Sequence, residues 1–166
     1  MADDIVLRPA TAADAEPAAR IAADVFAGVS VDFCIEAHFG PLNSTLWQER
    51  KAAQIEAEVL ACPEAVIVAD RAGGIIGFVT TEYDPSTRVG RIPNLAVSGA
   101  AQGHGVGKLL MQAACELLVS HGATHLQIET LETNDRGMRF YPRLGFREVA
   151  RKIYYFMEVQ QWQPPV

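Results

Sequence analysis

Apolar and polar positions divide the chain into short strands and amphipathic helices. Ile5-Val6-Leu7-Arg8 forms a first strand closed by Pro9. Thr11 or Asp14 can cap the helix that follows, whose apolar positions are Ala18, Ile21, Ala22, Val25 and Phe26. Val29–Asn43 has no clean period: Phe33, Ile35, His38 and Phe39 are mixed with Asp32, Glu36 and Gly40-Pro41. Glu36 and His38 read there as a solvated helix face or loop. Thr45-x-x-Gln48 has the form of a capping box and opens a helix that ends before Cys62-Pro63. Trp47, Ile55, Val59 and Leu60 mark its buried side.

Strand signals dominate the middle. Ala65–Ala69 and Ile75–Glu82 flank the turn cluster Asp70-Arg71-Ala72-Gly73-Gly74, a hairpin pattern. Asp84-Pro85-Ser86-Thr87 supplies another turn, and Val89–Val97 returns as a fourth strand. Leu109/Leu110, Ala113/Ala114 and Leu117/Leu118 then recur at i, i+4, giving a helix that Gly122 ends. His125–Thr130 is a fifth strand, and Asn134 can cap a helix reaching Tyr141 or Leu144. Phe146–Ala150 and Ile153–Val159 are expected to pair as the last strands, before a non-helical tail at Gln160–Val166. This order predicts a mixed α/β domain spanning residues 1–166, with helices around one sheet.

Composition narrows the class. At 166 residues, 49% hydrophobic and 20% charged, the chain is long enough for one substantial core. A formal net charge of −6 argues against a nucleic-acid or anionic-membrane partner and mildly favours a cationic substrate such as an amine. Met-Ala-Asp-Asp lacks the pattern of a signal peptide, and no apolar run reaches membrane-spanning length, so a cytoplasmic location is expected. Cys34, Cys62 and Cys115 show no Cys-x-x-Cys spacing, and Gly122 separates His121 from His125; no metal is expected.

The candidate chemistry lies between the fourth strand and the next helix, at Gln102-Gly103-His104-Gly105-Val106-Gly107-Lys108. Glycines here permit φ > 0 and close approach to the backbone, and a helix N-terminus offers free amides to an anion. The same glycines would also serve a turn that merely joins strand to helix. Gly103 and Gly107 enclose three residues, not the four of a P-loop, and Leu109 stands where that loop needs Ser or Thr. The even spacing of Gly103, Gly105 and Gly107 does not match Gly-x-Gly-x-x-Gly either. Gln-x-x-Gly-x-Gly, from Gln102, Gly105 and Gly107, does match a known pattern: it resembles the acyl-CoA pyrophosphate loop of the GNAT superfamily of N-acetyltransferases. Further on, Asn134-(six)-Tyr141-x-x-x-Gly145-Phe146 resembles that family's second signature. The two occur in the family's order, within a similar region from about Arg91 to Val159.

The resemblance implies a central, mostly antiparallel sheet of six to seven strands, splayed between strands 4 and 5 and flanked by about four helices. It implies acetyl-CoA as co-substrate and direct transfer to a primary amine in a ternary complex. Leu95, Ala96 and Val97 would meet the pantetheine arm, with the Val97 N–H as oxyanion donor. Gln102, Gly103, His104, Gly105, Val106, Gly107 and Lys108 would hold the pyrophosphate through main-chain amides; the His104 side chain is given no role, and Lys108 is either an added charge or a solvated lysine. Asn134 would contact the cofactor arm or act as a helix cap. Tyr141 would be the general acid or else a half-buried core tyrosine, its aim dependent on Pro142. Asn94 stands where many relatives carry a carboxylate, leaving Glu82, Glu129, Glu132 or water as general base. A small-molecule amine is the expected acceptor, with a protein N-terminus or lysine, or a non-catalytic acyl-CoA sensor, as alternatives. Family members are often dimers, so a homodimer is possible by resemblance.

Overall fold

Period-two alternation sorts the strand side chains onto two faces, and helices cover both. The structure is a computed structural model that describes residues 5–164. In chain order its elements are β1 (Ile5–Pro9), α1 (Ala15–Val25), α2 (Val31–Phe39), α3 (Trp47–Ala61), β2 (Val66–Arg71), β3 (Gly74–Thr80), β4 (Glu82–Asp84) and β5 (Val89–Ile92). There follow β6 (Leu95–Val97), α4 (Val106–Ser120), β7 (His125–Ile128) and α5 (Asp135–Arg143). Val66, Val68, Phe78 and Ala96 point into one core with Ala18, Ala22, Ile55 and Val59 of α1 and α3. Their strand neighbours Ile67, Ala69 and Val79 point the other way, onto Leu110, Met111, Ala114 and Leu118 of α4. Phe78 and Leu110 are fully buried, and each such side chain contributes roughly 1.5–3 kcal/mol through removal from water.

The strands form a group ordered β1-β2-β3-β6 and a group ordered β4-β5-β7. Every pairing is antiparallel except β5 with β7, which is parallel. The predicted fourth strand is interrupted at Pro93-Asn94, since proline cannot donate to a ladder. Before the break, β5 pairs with β7 as far as Ile92↔Ile128; after it, β6 pairs with β3 alone. Two strands that start side by side therefore separate, and the expected splay is present.

Four expectations are corrected. Neither Phe146–Ala150 nor Ile153–Val159 forms a strand. Phe156 of the second segment meets Phe39 of α2 edge to face at 5.1 Å, Tyr155 is 90% exposed, and a run from Ile153 to Met157 has no polar alternation to define a ladder face. Helix α3 begins one residue beyond the expected box: Glu49 Oε2 accepts from the Leu46 N–H at 2.7 Å, and Thr45 instead bonds the Asn43 carbonyl. Leu60 is on the outer face, 54% exposed. Glu36 is not solvated, because its carboxylate accepts from the Trp47 N–H at 2.5 Å and lies 3.6 Å from Arg50. The expectations resting on Met1–Asp4 and on Pro165 and Val166 lie outside the described residues.

Candidate functional site

Gly103 and Gly105 have φ of 83° and 82°, the left-handed region that side chains with a Cβ enter at a cost of about 1–2 kcal/mol. A Cβ on either would point into open space. This backbone turn brings the chain into α4 with Gly105 at its N-cap. Among the described residues, none of the main-chain N–H groups from Gly103 to Gly107 donates to a protein acceptor, whereas Lys108 and Leu109 bond the Gly105 carbonyl at 3.0 and 3.2 Å. No acidic side chain occupies the first turn of α4. Five donors without a protein acceptor thus lie at the positive end of a helix dipole with no competing carboxylate, those of Gly103, His104 and Gly105 on exposed residues and that of Val106 on a buried one, an arrangement suited to a diphosphate. Lys108 is exposed beside them.

Gln102 ties this loop to its neighbours. Its Nε2 donates to the Val97 carbonyl at 2.9 Å, and its Oε1 accepts from Arg136 of α5. The His104 ring bonds the Gln102 carbonyl at 3.0 Å, folding back on the loop. A Cβ on Gly107 would lie 3.8 Å from Val97 Cγ2, so the start of α4 packs directly on β6.

Register decides what β6 offers to the cleft. Thr80 N–H donates to the Asn94 carbonyl and Ser98 N–H to the Ile76 carbonyl, both at 2.9 Å. Hydrogen-bonded pairs alternate along an antiparallel ladder, so Ala96, paired with Phe78, turns its own peptide groups toward β3. Leu95 and Val97 then turn theirs outward, toward the gap that β7 has left. The Val97 carbonyl is taken by Gln102, and its N–H remains. Ala96 contributes packing, its side chain buried with α1 and α3.

The second signature is a helix cap. Asn134 caps α5: its Oδ1 accepts from the Gly137 N–H at 3.0 Å, and its Nδ2 donates to Thr130 at 2.9 Å. At the other end, Gly145 takes φ of 95°, the Gly145 N–H bonds the Pro142 carbonyl at 3.1 Å, and the Phe146 N–H bonds the Tyr141 carbonyl at 3.2 Å. This is a Schellman motif, with the rings of Tyr141 and Phe146 as its apolar contact. Helix α5 runs through Pro142 to Arg143, so proline does not break it. Tyr141 sits in the same apolar cluster as Leu95 and Val97. Burial pushes its phenol pKa up, so it carries its proton at neutral pH.

Glu82 and Glu129 are exposed, and Glu132 pairs with Arg151 at 2.5 Å. A polar network absent from the sequence reading stands beside the strand break instead. Lys51, 7% exposed, donates to Asn94 Oδ1 at 2.8 Å, and Asn94 Nδ2 donates to Glu58 at 2.9 Å and Thr80 at 3.0 Å. Lys51 also lies over the Phe26 ring at 4.7 Å, and burial lowers its pKa against the opposing pull of Glu58 and Asp32. The signal was available: Trp47, Lys51 and Ile55 are spaced by four on one helix face.

Two cavities accompany these features. One, of about 480 Å³, adjoins Arg8, Asp14 and Arg20, and no residue of the glycine loop lines it. The other, of about 420 Å³, lies between α2, Leu131 and the segment Tyr154–Phe156. Among the described residues no cluster of metal-ligating side chains occurs, and no helix is long and apolar enough to cross a membrane.

Residues 34–146 match the model of the acetyltransferase (GNAT) family. N-alpha-acetyltransferase 30 of Schizosaccharomyces pombe is 33% identical over 98 residues, covering 57% of this chain and 65% of that protein. Mycothiol acetyltransferase of Thermomonospora curvata is 30% identical over 100 residues, 60% of this chain and 33% of that protein. The chain thus spans less than two thirds of each of these relatives. The PaiA N-acetyltransferase of Thermoplasma acidophilum, solved in complex with coenzyme A, has the same fold, with a TM-score of 0.70, 18% identity, and coverage of 87% of this chain and 90% of that one. With a family match over more than half its length, on a sheet that splays beside a glycine loop, the chain belongs to the acetyltransferase (GNAT) family.

Proposed function

We propose that this chain is an acyltransferase that moves an acetyl group from acetyl-CoA to the primary amine of a small molecule, by direct transfer with both substrates bound. The observation that carries this reading is the row of free amides from Gly103 to Gly107, set against the outward edge of β6. The fit is specific: positive φ at Gly103 and Gly105 bares the backbone, and a side chain at either position would occupy the approach.

Acetyl-CoA supplies an activated acyl group on sulfur. The loop amides hold its diphosphate, and the outward groups of Leu95 extend β6 toward the arm as a strand partner would. The Val97 N–H stabilises the developing oxyanion. Tyr141, protonated at neutral pH, gives its proton to the departing sulfur. Asn134, with one Nδ2 hydrogen beyond its bond to Thr130, can touch the arm while capping α5. Holding both reactants in place can supply roughly 7–11 kcal/mol of the barrier, so no covalent enzyme intermediate is needed. The reading includes a cytoplasmic enzyme that uses no metal.

Similarity to N-alpha-acetyltransferase 30 favours a second reading, in which the acceptor is a peptide N-terminus. Calorimetric titration with acetyl-CoA, followed by free-thiol release across small amines and peptides, separates them. Release with small amines supports the first reading, release with peptides alone the second. Binding without release from any acceptor would leave only an acyl-CoA sensor.

A further inference from the structure

The cavity of about 420 Å³ is within the range of small-molecule sites and is walled by Ile35 and Phe39 of α2, Leu131, and Tyr154, Tyr155 and Phe156 of the C-terminal segment. Its place relative to the cleft follows from register. Strands β5 and β7 pair residue for residue from Val89↔His125 to Ile92↔Ile128. Leu131 follows the end of β7 by three residues, on the chain segment that leaves β6 at the strand break, so one wall of the cavity belongs to the segment that borders the cleft in which transfer is proposed.

Its chemistry is one-sided. Aromatic and aliphatic groups dominate, and no carboxylate is among the residues that line it. Both acidic side chains of α2, each next to a lining residue, are engaged on α3: Asp32 lies 3.4 Å from Arg50, and Glu36 accepts from the Trp47 N–H and lies 3.6 Å from Arg50. Its exposed rings offer an aryl group flat apolar contact, while the second charge of a polyamine would find no carboxylate among the lining residues.

One lining group can take a proton from an ammonium. His38 Nδ1 lies 2.8 Å from the Cys34 carbonyl. A carbonyl only accepts, so Nδ1 is the donor, and in the neutral ring the lone pair is on Nε2. The other lining residues with titratable protons, Cys34, Tyr154 and Tyr155, are donors when neutral.

We propose that this aromatic cavity is the acceptor site, that it takes an apolar, aryl-bearing primary monoamine, and that His38 is the catalytic base that removes the ammonium proton. The inference rests on the acetyl-transfer reading above. The ammonium loses one proton to His38 Nε2, and the nitrogen lone pair attacks the thioester carbonyl carbon. As the C–N bond forms and the C–S bond breaks, nitrogen loses its second proton to solvent. Tyr141 protonates the sulfur and recovers a proton from solvent, and His38 discharges its own. One amide, one thiol and one net proton result.

The test follows thiol release with 2-phenylethylamine, ethanolamine, spermidine and O-benzylhydroxylamine, whose nitrogen is already unprotonated at neutral pH. The expected result is a kcat/KM for 2-phenylethylamine at least tenfold above those for ethanolamine and spermidine. Phe156→Ala, in an irregular segment, should raise the KM for 2-phenylethylamine about tenfold with coenzyme A affinity unchanged. His38→Gln should lower kcat at least thirtyfold with 2-phenylethylamine and less than threefold with O-benzylhydroxylamine, a rescue that a merely structural histidine would not show. Equal loss with both acceptors, or preference for ethanolamine, spermidine or peptides, overturns the inference and leaves acetyl transfer standing. No thiol release from any acceptor overturns the acetyl-transfer reading itself.

Discussion

The Phe146 N–H donates to the Tyr141 carbonyl at 3.2 Å while the two rings meet edge to face, 6.3 Å between centroids. Backbone and ring of Tyr141 are thereby fixed by the same six-residue cap, and its hydroxyl has no protein partner among the described residues. Removing the hydroxyl should leave folding alone. Tyr141→Phe is expected to lower kcat for acetylation about a hundredfold, within the usual range for losing a general acid. Coenzyme A affinity and Tm should stay near wild type; unchanged turnover would remove the acid role.

Gly105→Ala tests the loop by geometry. At φ of 82° the new Cβ costs about 1–2 kcal/mol in the folded chain and projects toward the approach to the free amides. Coenzyme A should bind at least tenfold more weakly by calorimetry. Lys108→Ala, which removes one exposed charge and no amide, should weaken binding by a smaller factor.

Much of this site was legible in the sequence, and the reasons are local. Gly103 and Gly105 announce a backbone that must be bare, while Tyr141-x-x-x-Gly145-Phe146 is legible as a family signature and shows its Schellman geometry only in the fold. The i, i+4 stripe of α4 is buried at Leu110, Ala114 and Leu118, while Leu109 beside it is exposed. What failed depended on contacts distant in sequence. Lys51 has the side chain of a surface residue, and only Asn94 and Phe26, brought in by folding, make it a buried one. Helix α2 buries no residue fully, so it carries no period to read. Ile153–Met157 is apolar enough for a strand, yet it joins no ladder, and Phe156 meets Phe39 of α2 instead.

The Lys51 network should matter for stability. Lys51→Met keeps an apolar stem for Phe26 but leaves Asn94 Oδ1 buried without a donor. A loss of about 1–3 kcal/mol is expected in urea unfolding. Because Asn94 borders β6, the KM for acetyl-CoA should rise with it.

Acid sensitivity has a named source. Asp14 accepts two hydrogen bonds from Arg8, at 2.8 and 2.9 Å, and others from Thr11. The Arg8 guanidinium in particular holds its pKa down from 3.8 to about 2. A depressed carboxylate stabilises the fold above its unfolded value and loses that contribution as pH falls through its folded value. On the order of 2 kcal/mol should therefore disappear between pH 4 and pH 2. In Asp14→Asn, chemical denaturation across that window should show a lower starting stability and a shallower fall.

The central claim is that main-chain amides of the glycine loop grip the diphosphate of coenzyme A. An amide-resonance titration of the intact chain with coenzyme A reads those nitrogens one by one. Saturable shifts concentrated at Gly103–Lys108, with Val97 moving alongside, are the predicted result. Silence at those positions under saturating coenzyme, or shifts confined to the cavity beside Arg8 and Asp14, would contradict it.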